Sequence, residues 1–338
     1  MPQHTPALSA ETLQGYQAAR RTAAAFDRTA IGWIVVSGKD RASYLHGLLT
    51  NDIAVLKPGD GCYAAYLTPQ GRMIADLWVF ELGDVILIEL SRDVKETVLQ
   101  KLDQFVFTED VQLGDVSETF GAVAIVGPAA AAAVGRLTAA NTGAIESLAN
   151  PGALRAAFRG EPAIVLRTQD MGVPGFEVLV SQDQIDALKT AIADAGVALI
   201  DAAAAETIRI EGGVPRFHKD MDEETIPLEA GIESRAISLT KGCYVGQEVI
   251  IRVLHRGHGR VARKLVGLSI DGPSAPPEGA VIQAAGRDVG HVTSSAWSPA
   301  LNQPIALAYL HRDFVEPGTT VTVEGHQGRV APLPFVSA

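Results

Sequence analysis

Near Arg263 the hydrophobic rhythm of the chain changes. Downstream of it, the runs 265–270, 281–284, 290–295, 305–309 and 320–323 are short, rich in β-branched residues and separated by Gly and Pro, with no helical spacing between them. Such strands bury their apolar faces only against one another, which predicts a small β-barrel or sandwich. The Pro-rich stretch 271–277 has strands on both sides, so it reads as a loop of that unit and not as a linker. We place the domain boundary near residue 255, with an α+β region of two intertwined subdomains over 1–254 and a C-terminal barrel over 255–338.

Upstream, strand and helix patterns alternate. The run 31–36 ends at Ser37-Gly38, and Tyr44, Leu45, Leu48 and Leu49 then recur at helical spacing. Strand-like runs 63–67, 73–80 and 85–90 follow, joined by Thr68-Pro69-Gln70-Gly71 and Leu82-Gly83-Asp84, both turn-forming sequences. Ser91 and Ser181 sit where helix caps are expected, before amphipathic stretches ending near Leu102 and Gly196. Further strands are expected at 122–126, 163–167 and 176–180, and helices at 9–26 and 129–134. The mixture predicts α+β units and argues against a helical bundle.

With 28 Lys plus Arg against 39 Asp plus Glu, the net charge is -11, which repels nucleic-acid phosphate except at a local basic patch. The stretch 252–264 is such a patch, carrying Arg252, Arg256, Arg260, Arg263 and Lys264 without an acid, and could contact RNA weakly or receive an acidic polyglutamate tail. His255 and His258 within it lack further ligands, so no metal centre is expected. Two cysteines, Cys62 and Cys243, support neither a disulfide framework nor a Cys-rich zinc site. The absence of a signal-like apolar segment and of any long apolar run leads us to expect a cytoplasmic protein (mitochondrial matrix for a eukaryotic source), free of membrane and monomeric. No phosphate-cradling glycine loop and no G-x-S-x-G occur, which leaves ATPase, hydride-transfer and esterase readings without support.

Lys241-Gly242-Cys243-Tyr244-Val245-Gly246-Gln247-Glu248 is the most informative segment. A thiolate is the nucleophilic form of cysteine, a neighbouring ammonium favours it, and flanking glycines leave the sulfur accessible. The other reading of the residues is a buried structural cysteine.

This octapeptide resembles the signature of the YgfZ proteins, a branch of the GcvT aminomethyltransferase superfamily. The segments 208–215 and 227–231, and near the N-terminus 36–40 and 44–52, which includes Asn51, are similar to the superfamily's pattern in the same order. The resemblance implies three domains around tetrahydrofolate, two α+β and one barrel. It implies Cys243 as the reactive residue with Lys241 as its activator, and motif roles for Gly242, Tyr244, Gly246, Gln247 and Glu248. It also implies folate contacts at Glu177, Arg209, Asp76 and Asn51. A carboxylate at Glu177 suits the pterin because it accepts two parallel hydrogen bonds from an aminopyrimidine edge. Arg209 on this match could pair with Glu177, stack on an aromatic ring or meet a folate carboxylate; without the family, Glu177 reads equally as a solvated strand charge, Asp76 as an exposed strand carboxylate and Arg209 as a plain structural salt bridge.

The function implied is a tetrahydrofolate-binding accessory protein for iron–sulfur cluster assembly or maintenance, supporting iron–sulfur enzymes that include tRNA-thiolating ones, without classical turnover. The alternative is a folate-dependent aminomethyl or methyl transferase or demethylase. A thiol-redox role for Cys243 without folate is a third reading. Ala75 stands where aminomethyltransferases have the first of two aspartates, and Asp170 where they have a tyrosine, so glycine-cleavage activity is expected to be absent.

Overall fold

The computed structural model describes residues 8–168, 170–255 and 259–337. Helix α1 (Ala10–Arg21) begins at Ser9, whose hydroxyl accepts from the Thr12 backbone N–H, and it buries Tyr16 and Ala19. Then come β1 (Ala24–Asp27), β2 (Ile31–Ser37), α2 (Arg41–Leu48) and a meander of β3 (Gly61–Leu67), β4 (Met73–Glu81) and β5 (Ile86–Ser91). Next are α3 (Lys95–Asp103), β6 (Gln112–Asp115), β7 (Phe120–Val126), α4 (Ala130–Thr138), α5 (Thr142–Glu146), β8 (Gly152–Phe158), β9 (Glu161–Thr168) and β10 (Gly175–Ser181). The chain continues through α6 (Ile185–Asp194), β11 (Ala198–Leu199), α7 (Ala202–Glu211), α8 (Pro227–Ala230), α9 (Glu233–Ala236) and α10 (Gln247–His255). It ends in β12 (Arg263–Ile270), β13 (Val281–Ala284), β14 (Arg287–Ser298), β15 (Gln303–His311), β16 (Thr320–Val323) and β17 (His326–Ala331).

These strands make two α/β sheets and a closed barrel. One sheet has five strands in the order β3-β4-β5-β2-β6, the other six in the order β11-β1-β7-β10-β9-β8, and the barrel runs β12-β15-β14-β13-β16-β17. The first two strands part company: β1 joins the six-stranded sheet and β2 the five-stranded one, so residues 28–30 cross from one to the other. Arg28 stands at that crossing.

Several boundaries differ from the sequence reading for local reasons. Ala24 and Ala25 are fully buried between β7 and β11, so the helix expected over 9–26 gives way to a strand after Arg21. Ser91 ends β5 and α3 starts at Lys95; a 3-10 turn over Gln182–Gln184 separates Ser181 from α6. The closing barrel strand β17 went unread because its apolar signal is only Val330 beside a buried Gly328.

Helix α7 ties the barrel to the rest. Glu211, fully buried, accepts from Tyr16 Oη at 2.7 Å and Ser298 Oγ at 2.5 Å and pairs with Arg20, which links α1, α7 and β14. Charge-assisted bonds to a buried carboxylate contribute about 1.5–3 kcal/mol each, and removing one partner costs more than that because the charge stays buried. No described helix is long and apolar enough to cross a membrane.

Candidate functional site

A cavity of about 440 Å³ takes its walls from both sheets and from α7. Phe26, Tyr63, Trp78 and Phe217 give it aromatic surfaces, and Asp76, Glu89, Arg209 and Arg235 give it charge. Strand β4 explains the placing of the acid. Successive side chains of a strand face opposite ways; Ala75 is fully buried in the hydrophobic core and Asp76, half-buried, lines the cavity. Tyr63 on β3 sits opposite Trp78 with ring centroids 4.7 Å apart, and its hydroxyl donates to Asp76 Oδ2 at 2.7 Å. Desolvation raises the Asp76 carboxyl above the ordinary range, while Tyr63 and the positive Arg235 act the other way. A carboxyl poised upward in an aromatic cavity is suited to exchanging a proton with a bound amine.

One wall is formed by an arginine with two carboxylates, and a third carboxylate lies behind it. Arg28 donates from Nη2 to Glu89 Oε1 at 2.6 Å, and its Nη1 lies 2.7 Å from Asp170 Oδ2. Glu177 Oε1 is also 2.7 Å from Nη2, yet neither Glu177 oxygen receives a well-oriented hydrogen bond. Glu89 comes from β5 and Glu177 from β10, so the guanidinium joins the two sheets at the point where the chain crosses between them. One positive charge does not balance three negative ones where two of the acids, Glu89 and Glu177, are buried. Burial accordingly raises Glu177 to about 7, opposed by Arg28 and helped by Asp170, and burial with Glu177 beside it raises Glu89 well above its usual range. The three carboxylates lie within 4.8 Å of one another, a spacing that could hold a cation, and Arg28 supplies the positive charge there.

The residues expected from the sequence fall in different places. Glu177 is not a solvated strand charge: it is 1% exposed, one layer behind the cavity wall formed by Arg28, Glu89 and Asp170. Arg209 lines the cavity but does not pair with Glu177; it bonds Glu206, Asp220 Oδ2 at 2.7 Å, the Val214 carbonyl and Ser294 Oγ. Asn51 is not in the cavity wall. Its Nδ2 donates to the carbonyls of Tyr63 and Arg235, at 2.8 and 3.0 Å, so it holds the strand and the helix that carry those two side chains.

Lys241 does not activate Cys243. Its ammonium donates to three backbone carbonyls, those of His46, Leu49 at 2.6 Å and Asn51 at 3.0 Å, and so serves the C-terminal end of α2, where cations are favoured. Burial lowers it to about 8, and the groups that act the other way are Asp52 and Cys62. The thiol in its electrostatic reach is thus Cys62, which desolvation pushes up to about 12. The rest of the octapeptide is mostly packing. Tyr244 is buried in the core beneath the Lys241 ammonium, 5.1 Å from its ring centroid. Gly246, at φ +84°, lies so close to the Thr68 carbonyl that a Cβ would sit 2.5 Å from it, which seats the loop on the turn between β3 and β4. Gln247 and Glu248 start α10, and Gly242 and Cys243 are exposed. The basic stretch is likewise divided: Arg252 is in α10, Arg263 faces Glu229 and Tyr309 from β12, and Arg256 and His258 lie outside the described residues.

Arg28, Tyr63, Trp78, Glu89 and Arg235 were missed in the sequence. Glu89 had a readable signal, a lone charge within the apolar run 85–90, where burial requires a partner.

Two α/β sheets closed off by a six-stranded barrel make this the architecture of the aminomethyltransferase fold. The aminomethyltransferase of Bartonella henselae has it too, with a TM-score of 0.87 at 22% identity over 98% of this chain and 91% of that one. Residues 3–241 match the GCVT N-terminal domain and residues 263–337 the glycine cleavage T-protein C-terminal barrel domain, so the chain belongs to the glycine cleavage T-protein family. An aminomethyltransferase of Nostoc sp. is 32% identical over 319 residues, covering 91% of this chain and 82% of that protein. One from Bacillus subtilis is 31% identical over 316 residues, 91% and 85% respectively.

These relatives overturn the iron–sulfur accessory reading drawn from the octapeptide, since proteins similar along nearly the whole chain are aminomethyltransferases. Of the two departures from the aminomethyltransferase pattern, Ala75 takes nothing from the cavity wall, whereas Asp170 is part of it. Ala75 faces the core and not the cavity, and Asp170 is held by Arg28.

Proposed function

We propose that the protein is a tetrahydrofolate-dependent one-carbon transferase, passing an aminomethyl or methyl carbon between a donor and the reduced pteridine. The observation that carries this reading is Asp76, hydrogen-bonded by Tyr63 and raised by desolvation on the wall of the aromatic cavity. Tetrahydrofolate is the one-carbon cofactor of the family, and when bound it supplies the nitrogens that carry the transferred carbon. The cavity fits it on two counts. Phe26, Tyr63, Trp78 and Phe217 offer stacking surfaces for flat rings, and the carboxylates of Glu89 and Asp170 in the wall are acceptors for the N–H edge of an aminopyrimidine, with Glu177 behind them. In this reading Asp76 takes up or returns the proton displaced at the reacting nitrogen, Tyr63 fixes the carboxyl's orientation, and the aromatic wall limits water. Arg209 keeps α7, and with it the cavity wall, against the barrel.

The likeness of residues 241–248 to the YgfZ branch we infer to be one of loop architecture, because Lys241, Tyr244 and Gly246 all have packing roles. Calorimetric titration with reduced folate tests the reading: saturable heat is expected from the protein and from Asp76→Asn alike, because the substitution keeps the shape of the side chain. No saturable heat from either protein contradicts it.

A further inference from the structure

The cavity's arginines are not equally engaged. Arg28 faces three carboxylates, Arg209 is bonded to Glu206 and Asp220, and Arg216 lies 3.3 Å from Glu206. Arg235, half-buried on α9, differs. Its guanidinium lies 4.6 Å from the Tyr63 ring centroid, and among the described residues it has no ion pair and donates no side-chain hydrogen bond. Asp76 is near enough to feel its charge, but that carboxyl takes its hydrogen bond from Tyr63. The backbone around Arg235 is fixed, since its carbonyl accepts from Asn51 at 3.0 Å. The result is a stacked guanidinium on a held backbone, presented to a cavity with its donors free. That arrangement is suited to taking a planar two-oxygen anion in a bidentate bond.

We propose that Arg235 is the carboxylate anchor of this cavity, binding the acid end of a ligand whose reacting amine is served by Asp76. The proposal rests on the one-carbon transfer reading of the cavity and names the ligand class within it, an amine that carries a carboxylate. Two ligands have that chemistry, the glutamate of the folate itself and an N-methylated amino acid acting as donor. Arg28 and Arg209 do not serve, because a new carboxylate beside either would meet acids already in place.

The test uses the full chain, with Arg235→Gln and Arg235→Lys, and calorimetry on paired ligands. Tetrahydrofolate is compared with tetrahydropteroate, which lacks the glutamate; N-methylglycine is compared with dimethylamine, which lacks the carboxyl. Unfolding midpoints close to that of the parent protein check that the variants fold. A charge-assisted bond lost is worth about tenfold or more in Kd. If the anchor holds the folate, the parent protein prefers tetrahydrofolate to tetrahydropteroate by about that factor. Arg235→Gln then loses the preference while binding tetrahydropteroate as before, and Arg235→Lys recovers part of it. If the anchor holds the donor, the same pattern is seen with N-methylglycine and dimethylamine. Neither preference in the parent protein, or a preference that survives in Arg235→Gln, overturns the proposal. Failure of both pteridines to bind counts against the folate reading alone, and the amine pair then decides the role of Arg235.

Discussion

Replacing Glu177 by Gln tests the buried charge cluster, because one carboxyl there holds a proton that unfolding releases. Its ordinary value of 4.5 moves to about 7 in the folded protein, chiefly through burial. The sign follows from proton counting: between pH 4.5 and 7 the folded form binds more protons at this site than the unfolded one, so stability falls as pH rises. The contribution is complete below 4.5 and lost as pH passes through 7. At 1.36 kcal/mol for each pH unit between the two values, the loss is about 3 kcal/mol. Glu177→Gln removes that titration and also the repulsion that raises Glu89, leaving Glu89 and Asp170 to share Arg28. Urea unfolding at pH 4.5, 5.5, 6.5 and 7.5 reads the effect: the stability of the variant relative to the parent should improve with pH across the series, by about 2–3 kcal/mol in all. A difference constant within about 0.5 kcal/mol from pH 4.5 to 7.5 would mean that Glu177 is ionised throughout and refute the shared-proton account.

Asp76→Asn keeps the acceptor for Tyr63 but carries no exchangeable acid proton, so turnover should fall by about 10²–10⁴ with folate affinity little changed; a kcat within threefold of the parent would show that Asp76 is not the proton carrier. Lys241→Met leaves three carbonyls at the end of α2 without their donor and should cost about 2–4 kcal/mol in urea unfolding, while iodoacetamide labels exposed Cys243 at an unchanged rate. Cys62, with its thiol pushed up to about 12, should resist the same reagent until the protein unfolds. Cys243→Ser should leave one-carbon transfer intact, as Cys243 is outside the cavity wall; a large loss of kcat would return the thiol to the chemistry.

What could be read in the sequence was the part encoded locally. The turn Thr68–Gly71, the alternating run of β4 and the Gly- and Pro-punctuated strands after Arg263 each carry their structure in a few neighbouring residues. Strand β17 could not be read so, because closing the barrel, not apolar content, makes it a strand. The site was less legible for the same reason. Arg28, Glu89, Asp170 and Glu177 come from distant parts of the chain, and only the crossing between β1 and β2 shows why an arginine belongs there. The octapeptide misled in the opposite direction: its lysine and cysteine are two residues apart in sequence, but the ammonium turns away toward α2. Asp76 by itself reads as an exposed carboxylate, since a strand carboxylate is usually solvated; the tyrosine across the ladder that changes its environment is thirteen residues away.

Transfer of carbon to folate is the activity to measure. The purified protein, given tetrahydrofolate and an aminomethyl-lipoyl carrier, should form methylenetetrahydrofolate and ammonia in equal amounts, and omission of either substrate should stop both. Protein that binds tetrahydrofolate saturably yet releases no ammonia and forms no one-carbon folate from this carrier or from N-methylated amino acids would contradict it.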